Sequence, residues 1–366
     1  MVLPSRRPDL SAVPRGRPVD AVDVRDRRVI ARRRRTFLLA SLIAVAALAV
    51  VIGAVAGGSG PSPKAARPPQ PAAGSTVSAQ KAAAGPAVSA HGAGSLPSPI
   101  QFPASTALGS SVVLAGGLDQ ATVSSGAIVR VSGGRAAAAG SLPTPLHDAA
   151  AATLGSSAYL FGGGEPSHAE IVRIAPGPAR QVGTLPAAAS DVGAAAIGGT
   201  AYVVGGYTGT TPLDTIVAWR PGSTARVVAH LPVALRYAAV AAAGGKLFIA
   251  GGTNGTVATR AVYSFDPAGG GVRTIARLRR PLTHAAAAAI GDVVYVAGGR
   301  DALQGTQTAS ILAIDTRTGR VTPAGKLPRA ASDMGAASLG GRVLLAGGRD
   351  RSGRVLSQVV ELAARR

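Results

Sequence analysis

The sequence predicts an all-β fold, a six-bladed β-propeller, preceded by a single transmembrane helix. Three observations carry this. Six leucines, Leu96, Leu142, Leu185, Leu231, Leu278 and Leu327, each open a Leu-Pro dipeptide or a variant of it. A Gly-Gly doublet follows 20 residues after every one, at Gly116, Gly162, Gly205, Gly251, Gly298 and Gly347. Successive doublets lie 46, 43, 46, 47 and 49 residues apart, so one unit is built six times with a loop of variable length. Upstream of the repeats, Thr36–Gly57 holds no charged residue, and Phe37–Ala56 is nearly all Leu, Ile, Val and Ala.

Four segments follow in order. Residues 1–35 form a basic tail with four prolines, too polar to bury a core and expected to be disordered in the cytoplasm. Residues 36–57 are the expected transmembrane helix. At 1.5 Å per residue the apolar run spans about 30 Å, the thickness of a bilayer's hydrocarbon core. Arg32, Arg33, Arg34 and Arg35 abut its N-terminal end. By the positive-inside rule they hold the N-terminus in the cytoplasm and send the remainder across. A cleaved signal peptide is the rival, since Ala54-Val55-Ala56 resembles a cleavage site. An n-region of 35 residues and so long an apolar run favour an uncleaved anchor. Residues 58–85, rich in Pro, Ala, Gly and Ser, read as a linker that could reach about 90 Å if extended. Residues 86–366 are the propeller.

Composition narrows the chemistry. The chain is 3% aromatic and 47% hydrophobic, so its core must be Ala, Val, Leu and Ile. It has no cysteine. That excludes disulfides, thiolate zinc sites, cysteine-held iron–sulfur clusters and a cysteine nucleophile. No cofactor and no metal are expected, because no His-x-His spacing occurs and no Glu-x-x-His spacing involves His147 or His284. The net charge is +21, divided between +7 in residues 1–36 and +14 beyond them. Nucleic acid is not the expected partner, because the span sends the basic propeller out of the cytoplasm; an anionic envelope partner fits better. The Arg, Ala and Gly bias points to a bacterial source.

The repeat from Leu185 shows how one blade arises. Gly193–Ile197, Ala201–Val204, Thr215–Trp219 and Ala225–Ala229 are short apolar runs separated by turn signals, a four-stranded meander. First strands are nearly pure alanine, as in Ala149–Ala152, Ala238–Ala243 and Ala285–Ala289. Alanine favours helix, but each run is too short before a Gly turn, and strands crowded round an axis need small side chains. Larger residues three before the doublet, Tyr159, Tyr202, Phe248 and Tyr295, are expected to pack between blades. The last repeat stops after its third strand, Gln358–Leu362, and Ala87–Ala90 stands where a fourth strand would precede Leu96. The N-terminal strand should therefore close the ring and leave no open edge.

These repeats resemble kelch repeats, in which a strand ends in Gly-Gly, a third strand ends near Asp-Pro and Leu-Pro precedes the next unit. Here the corresponding runs are Tyr202-Val203-Val204-Gly205-Gly206, Tyr295-Val296-Ala297-Gly298-Gly299 and Tyr263-Ser264-Phe265-Asp266-Pro267. The resemblance covers about residues 86–366. The chain departs from the family pattern in having no fourth-strand Trp; its one Trp, Trp219, lies on a third strand. The Arg common after Leu-Pro is mostly missing. The family includes binding scaffolds, sugar-acting enzymes and copper oxidases, and without cysteine the chain cannot make a Tyr–Cys cofactor.

Variable loops between second and third strands share a face with the entrances to the first strands, and function concentrates on such loops. At offsets five and six after each repeat leucine stand Gln101/Phe102, His147/Asp148, Ser190/Asp191, Arg236/Tyr237, Thr283/His284 and Ser332/Asp333. Symmetry places them round the central opening, where acidic, basic and aromatic groups would suit a small polar ligand. The expected function is a single-pass, extracytoplasmic binding module for a glycan, a cell-envelope polymer or a protein. The alternative is a carbohydrate-acting enzyme of epimerase or lyase type, with His147, Asp148, Arg236, Tyr237, His284 and Asp333 as its candidates.

Overall fold

A computed structural model describes residues 86–365, which fold into a closed ring of six four-stranded antiparallel sheets. The tail, span and linker expected over 1–85 lie outside the described residues. Among the described residues no helix is long and apolar enough to cross a membrane.

Each blade is an in-order meander. The third blade is Gly193–Ile197, Thr200–Val204, Thr215–Trp219 and Arg226–His230, counted from the axis outward. First and second strands are joined by two-residue turns, such as Gly244-Gly245, where both residues have positive φ (54° and 75°), a conformation glycine adopts without steric penalty. The sixth blade takes Gly335–Leu339, Arg342–Ala346 and Gln358–Ala364 from the C-terminal end of the chain and Val88–Ser95 from the N-terminal side of the ring. The N-terminal strand runs antiparallel to Gln358–Ala364, with Ala90 opposite Leu362.

The alanine runs are strands. Six of them line an axial channel of about 260 Å³ with Ala, Ser, Thr and Val side chains. No larger residue fits six times round one axis, and this steric demand overrides helix propensity. The bulk sits between blades. Tyr159 and Phe161 of the second blade meet Trp219 of the third edge-on, with ring centroids 5.0 and 5.8 Å away. Tyr202 meets Phe265 of the fourth blade at 5.6 Å. Phe248 and Tyr295 are buried against the next blade in the same way. Burial of each such ring contributes about 1.5–3 kcal/mol. Trp219, on its third strand, fills the gap between second and third blades.

The glycine doublet joins blades at the face carrying the loops. The second glycine donates its N–H to the carbonyl four residues after the next repeat leucine. Gly206 bonds to Leu235 and Gly252 to Leu282, both at 2.8 Å, and Gly348 to Ile100 closes the ring at 2.8 Å. The first glycine lies so close to the same carbonyl that a Cβ would fall within 3.0 Å of it in every blade.

Candidate functional site

The mouth of the propeller is built by the third and second residues before each first strand. The offset-five residue pairs with the residue just past its own blade's doublet. Gln101 exchanges backbone bonds with Leu118, Ser190 with Tyr207, Arg236 with Thr253 and Thr283 with Arg300, all at 2.8–2.9 Å. Ser332 pairs with Arg349 in a two-residue strand pair. His147 only accepts a bond, from Gly164 at 2.7 Å.

The offset-six residues do something different. Phe102, Asp148, Asp191, Tyr237, His284 and Asp333 all have φ between 55° and 63°. Left-handed backbone is unusual outside glycine, and least so for Asp and His. Here it recurs six times and turns each residue toward the axis. Five of the six amides then bond the carbonyl of their counterpart in the preceding blade: Asp191 to Asp148 (2.8 Å), Tyr237 to Asp191 (3.0 Å), His284 to Tyr237 (3.1 Å), Asp333 to His284 (3.0 Å) and Phe102 to Asp333 (2.8 Å). The belt is interrupted once, between Asp148 and Phe102. The six side chains line one cavity of about 120 Å³, together with Pro103, Ala149, Val192, Ala238, Ala285 and Met334.

The twelve residues singled out by symmetry therefore split into two layers. Phe102, Asp148, Asp191, Tyr237, His284 and Asp333 face the cavity. Gln101, His147, Ser190, Arg236, Thr283 and Ser332 stand behind them and do not line it. Gln101, Ser190, Thr283 and Ser332 are buried.

Electrostatics differ round the ring. Arg236 forms an ion pair with Asp191, and its guanidinium lies over the ring of Tyr207, 4.0 Å from the centroid. Burial pushes the Asp191 carboxyl up from its usual value, and Arg236 opposes that. Burial, followed by the charges of Asp191 and Asp333, pushes Asp148 well above the usual carboxylate range. Burial pushes Asp333 up to about 6, against a bond of 2.7 Å from Ser332 Oγ to its Oδ2. Tyr237 is raised by burial and by its acidic neighbours, so its hydroxyl stays neutral and donates to Asp148 Oδ2 at 3.5 Å. His284 stacks on Tyr237 with centroids 3.8 Å apart. Burial, then Arg300 and Arg236, hold its pKa well below the ordinary value. Arg300 Nη2 donates to His284 Nε2 at 2.9 Å, which assigns the imidazole proton to Nδ1. Two cavity groups lack a partner among the described residues: Asp333 Oδ1, an acceptor, and His284 Nδ1, a donor.

On the second blade, Ser124 Oγ lies 2.9 Å from His147 Nδ1, while His147 Nε2 is 3.7 Å from Asp148 Oδ2. Burial lowers the pKa of His147, with Glu165 acting in the opposite sense. An imidazole that holds its proton less tightly than usual thus stands beside a carboxyl that holds its proton more tightly. Among the described residues no three His, Asp or Glu side chains converge closely enough to hold a metal ion.

Sequence symmetry located the mouth but missed Tyr207, Arg300, Arg349 and Ser124. The first three share a signal, since each is the second residue after the first glycine of a doublet. Ser124 has none, because its loop is specific to the first blade.

Comparison with known proteins now bears on the whole ring. The kelch motif matches residues 188–223, 234–270 and 281–328, which fall in the third, fourth and fifth repeats. Among solved structures, one titled "Structure of YjhT" superposes with a TM-score of 0.66 at 16% sequence identity, covering 74% of this chain and 97% of that one. At that identity the likeness shows the fold. No curated protein matches the sequence. The chain is thus a six-bladed β-propeller in which the third, fourth and fifth repeats carry the kelch motif.

Proposed function

We propose that this protein is a membrane-anchored, extracytoplasmic binding module whose propeller mouth takes the hydroxyl-rich end of a glycan or envelope polymer. Kelch propellers typically serve as binding modules. The observation that carries the reading is the pair of buried, unpartnered groups at one cavity, Asp333 Oδ1 and His284 Nδ1. A buried polar atom without a partner is costly in a folded protein, and a ligand hydroxyl both donates and accepts. The Phe102 ring adds an apolar face against which the C–H side of a sugar ring can pack. The anchor rests on the apolar run Phe37–Ala56 and the four arginines before it.

The test is titration calorimetry of the full chain against monosaccharides and soluble wall fragments, with Asp333→Asn and Arg236→Ala beside it. At least one sugar should bind, and both variants should weaken it about tenfold or more. Arg236 acts here through its hold on Asp191 and Tyr237. Binding that is indifferent to both variants would move the site to the long loops, such as 300–308.

The Asp148 carboxyl, which lines the cavity with its pKa raised by burial and by Asp191 and Asp333, favours one second reading, a carbohydrate-acting enzyme with Asp148 as acid. Nuclear magnetic resonance of any sugar that binds separates the two, since an enzyme converts it and a binding module returns it unchanged.

A further inference from the structure

The mouth cavity is acidic and aromatic on the inside and basic only behind its wall. Asp148, Asp191 and Asp333 line it, and no Arg or Lys does. The three nearby guanidiniums are already engaged. Arg236 is paired with Asp191 and stacked on Tyr207. Arg300 donates to His284 and to the carbonyls of Asp301 and Ala302, each at 3.3 Å. Arg349 Nε donates to the Gly353 carbonyl at 3.1 Å. His284 accepts from Arg300 and is neutral. Asp191 therefore has its counter-charge in direct contact, and Asp333 does not.

A group of carboxylates alone would mean little. The second observation is Asp333. It is 5% exposed, it faces the cavity, and its Oδ1 has no donor. A metal ion does not fit, because among the described residues no three acidic or imidazole ligands converge. An organic cation does. An ammonium group brings three N–H donors for carboxylate oxygens and a positive charge for aromatic faces. One such face lines the cavity: the Phe102 ring lies 5.9 Å from that of Tyr237, whose own faces are taken by His284 and by the Arg236 guanidinium, 4.9 Å from the ring centroid. His284 Nδ1–H adds a requirement for an acceptor next to the amine.

We infer that the mouth takes a ligand carrying a primary ammonium group with an adjacent hydroxyl, the amine facing Asp333 and the hydroxyl accepting from His284. The inference rests on the reading of the mouth as a ligand site and narrows its ligand to an amino alcohol. That chemistry occurs in amino sugars and in small amine head groups.

Titration calorimetry of the full chain near neutral pH and low salt tests it with four probes: D-glucosamine, N-acetyl-D-glucosamine, D-glucose and ethanolamine. Glucosamine should bind at least about tenfold more tightly than its acetylated form or glucose, because acetylation removes the charge. Asp333→Asn should abolish that preference. If that variant fails to fold, Phe102→Leu keeps the carboxylates, removes one aromatic face, and should lower glucosamine affinity about threefold or more. Equal binding of charged and neutral sugars overturns the amine and leaves the glycan reading standing. Ethanolamine binding as tightly as glucosamine supports the amine and removes the glycan. If none of the four binds, both fall.

Discussion

Six residues at one offset carry the mouth, and their shared left-handed backbone is the most specific feature of this protein at the level of single side chains. Asp and His tolerate that conformation; Phe102 and Tyr237 do so at a cost on the order of 1 kcal/mol each. The belt of amide bonds offsets this cost. Asp333 adds a cost that depends on pH. Its carboxyl titrates at about 6 in the folded chain against an ordinary value of 3.8, because burial disfavours the charged form. Between those values the folded state holds a proton that the unfolded state has lost, so this residue's contribution to stability falls as pH rises from about 4 to about 6 and is flat above. Other carboxylates, such as Asp301 and Asp350, are lowered by their hydrogen bonds and act in the opposite sense. The difference between wild-type and Asp333→Asn melting temperatures isolates the effect. The variant should gain on wild type as pH rises through that window. A difference independent of pH would mean that Asp333 is not held protonated by burial.

At the scale of the element, the glycine doublet explains why the 20-residue half of each repeat is fixed. The repeat leucine donates to the carbonyl just ahead of the preceding blade's third strand, as Leu231 does to Asp214 at 2.7 Å. Twenty residues later the doublet must meet the next blade's carbonyl, so an insertion anywhere between would break one contact or the other. The first glycine has both a positive φ and no room: at Gly251, φ is 65° and a Cβ would collide with the Leu282 carbonyl. Gly251→Ala should destabilise the propeller by about 2 kcal/mol or more, read by urea denaturation. Gly255→Ala, with φ of 99° but nothing within 4 Å, carries only the backbone cost and should lose less. Equal losses would show that steric contact at the doublet contributes nothing. This element was legible in the sequence because its cause is local and repeated. The alanine strands were legible only through the repeat, since alone they read as helix. The chemistry of the mouth was legible only as a set of positions. Which of Arg236 and Tyr237 faces inward depends on a φ of 55° at Tyr237, and the Tyr237–Asp148 contact joins residues two blades apart. No periodicity encodes either.

At the scale of the whole ring, stability depends on a strand that begins the described chain and completes its last blade. Val88–Ser95 carries a mark of true equivalence. In each of the other five blades the fourth strand has one extra residue where it pairs with the third, three positions before a repeat leucine: Ala139, Val182, Val228, Ile275 and Ala324. The N-terminal strand has the same bulge at Ala93, three before Leu96. Such a bulge bends and twists the outer strand, so the closing strand is shaped like the other outer strands. Val88 is 1% exposed and packs with Tyr295, Ile311 and Leu362, which ties the fifth blade to the sixth. Without this strand, Gln358–Ala364 becomes an open edge able to pair with another chain. Deleting Val88–Ser95 from the full protein should therefore lower the melting temperature, broaden the transition and produce association visible by light scattering. Val88→Asp separates packing from pairing: it leaves the strand's backbone in place and buries an unpaired carboxylate, so it should cost about 2–4 kcal/mol without exposing the edge. A deletion variant that stays monomeric and melts in one sharp transition at the wild-type temperature would mean that the sixth blade is sound with three strands. The ring would then be held by the doublet contact from Gly348 to Ile100 and the mouth bond from Phe102 to Asp333, which join the sixth blade to the first.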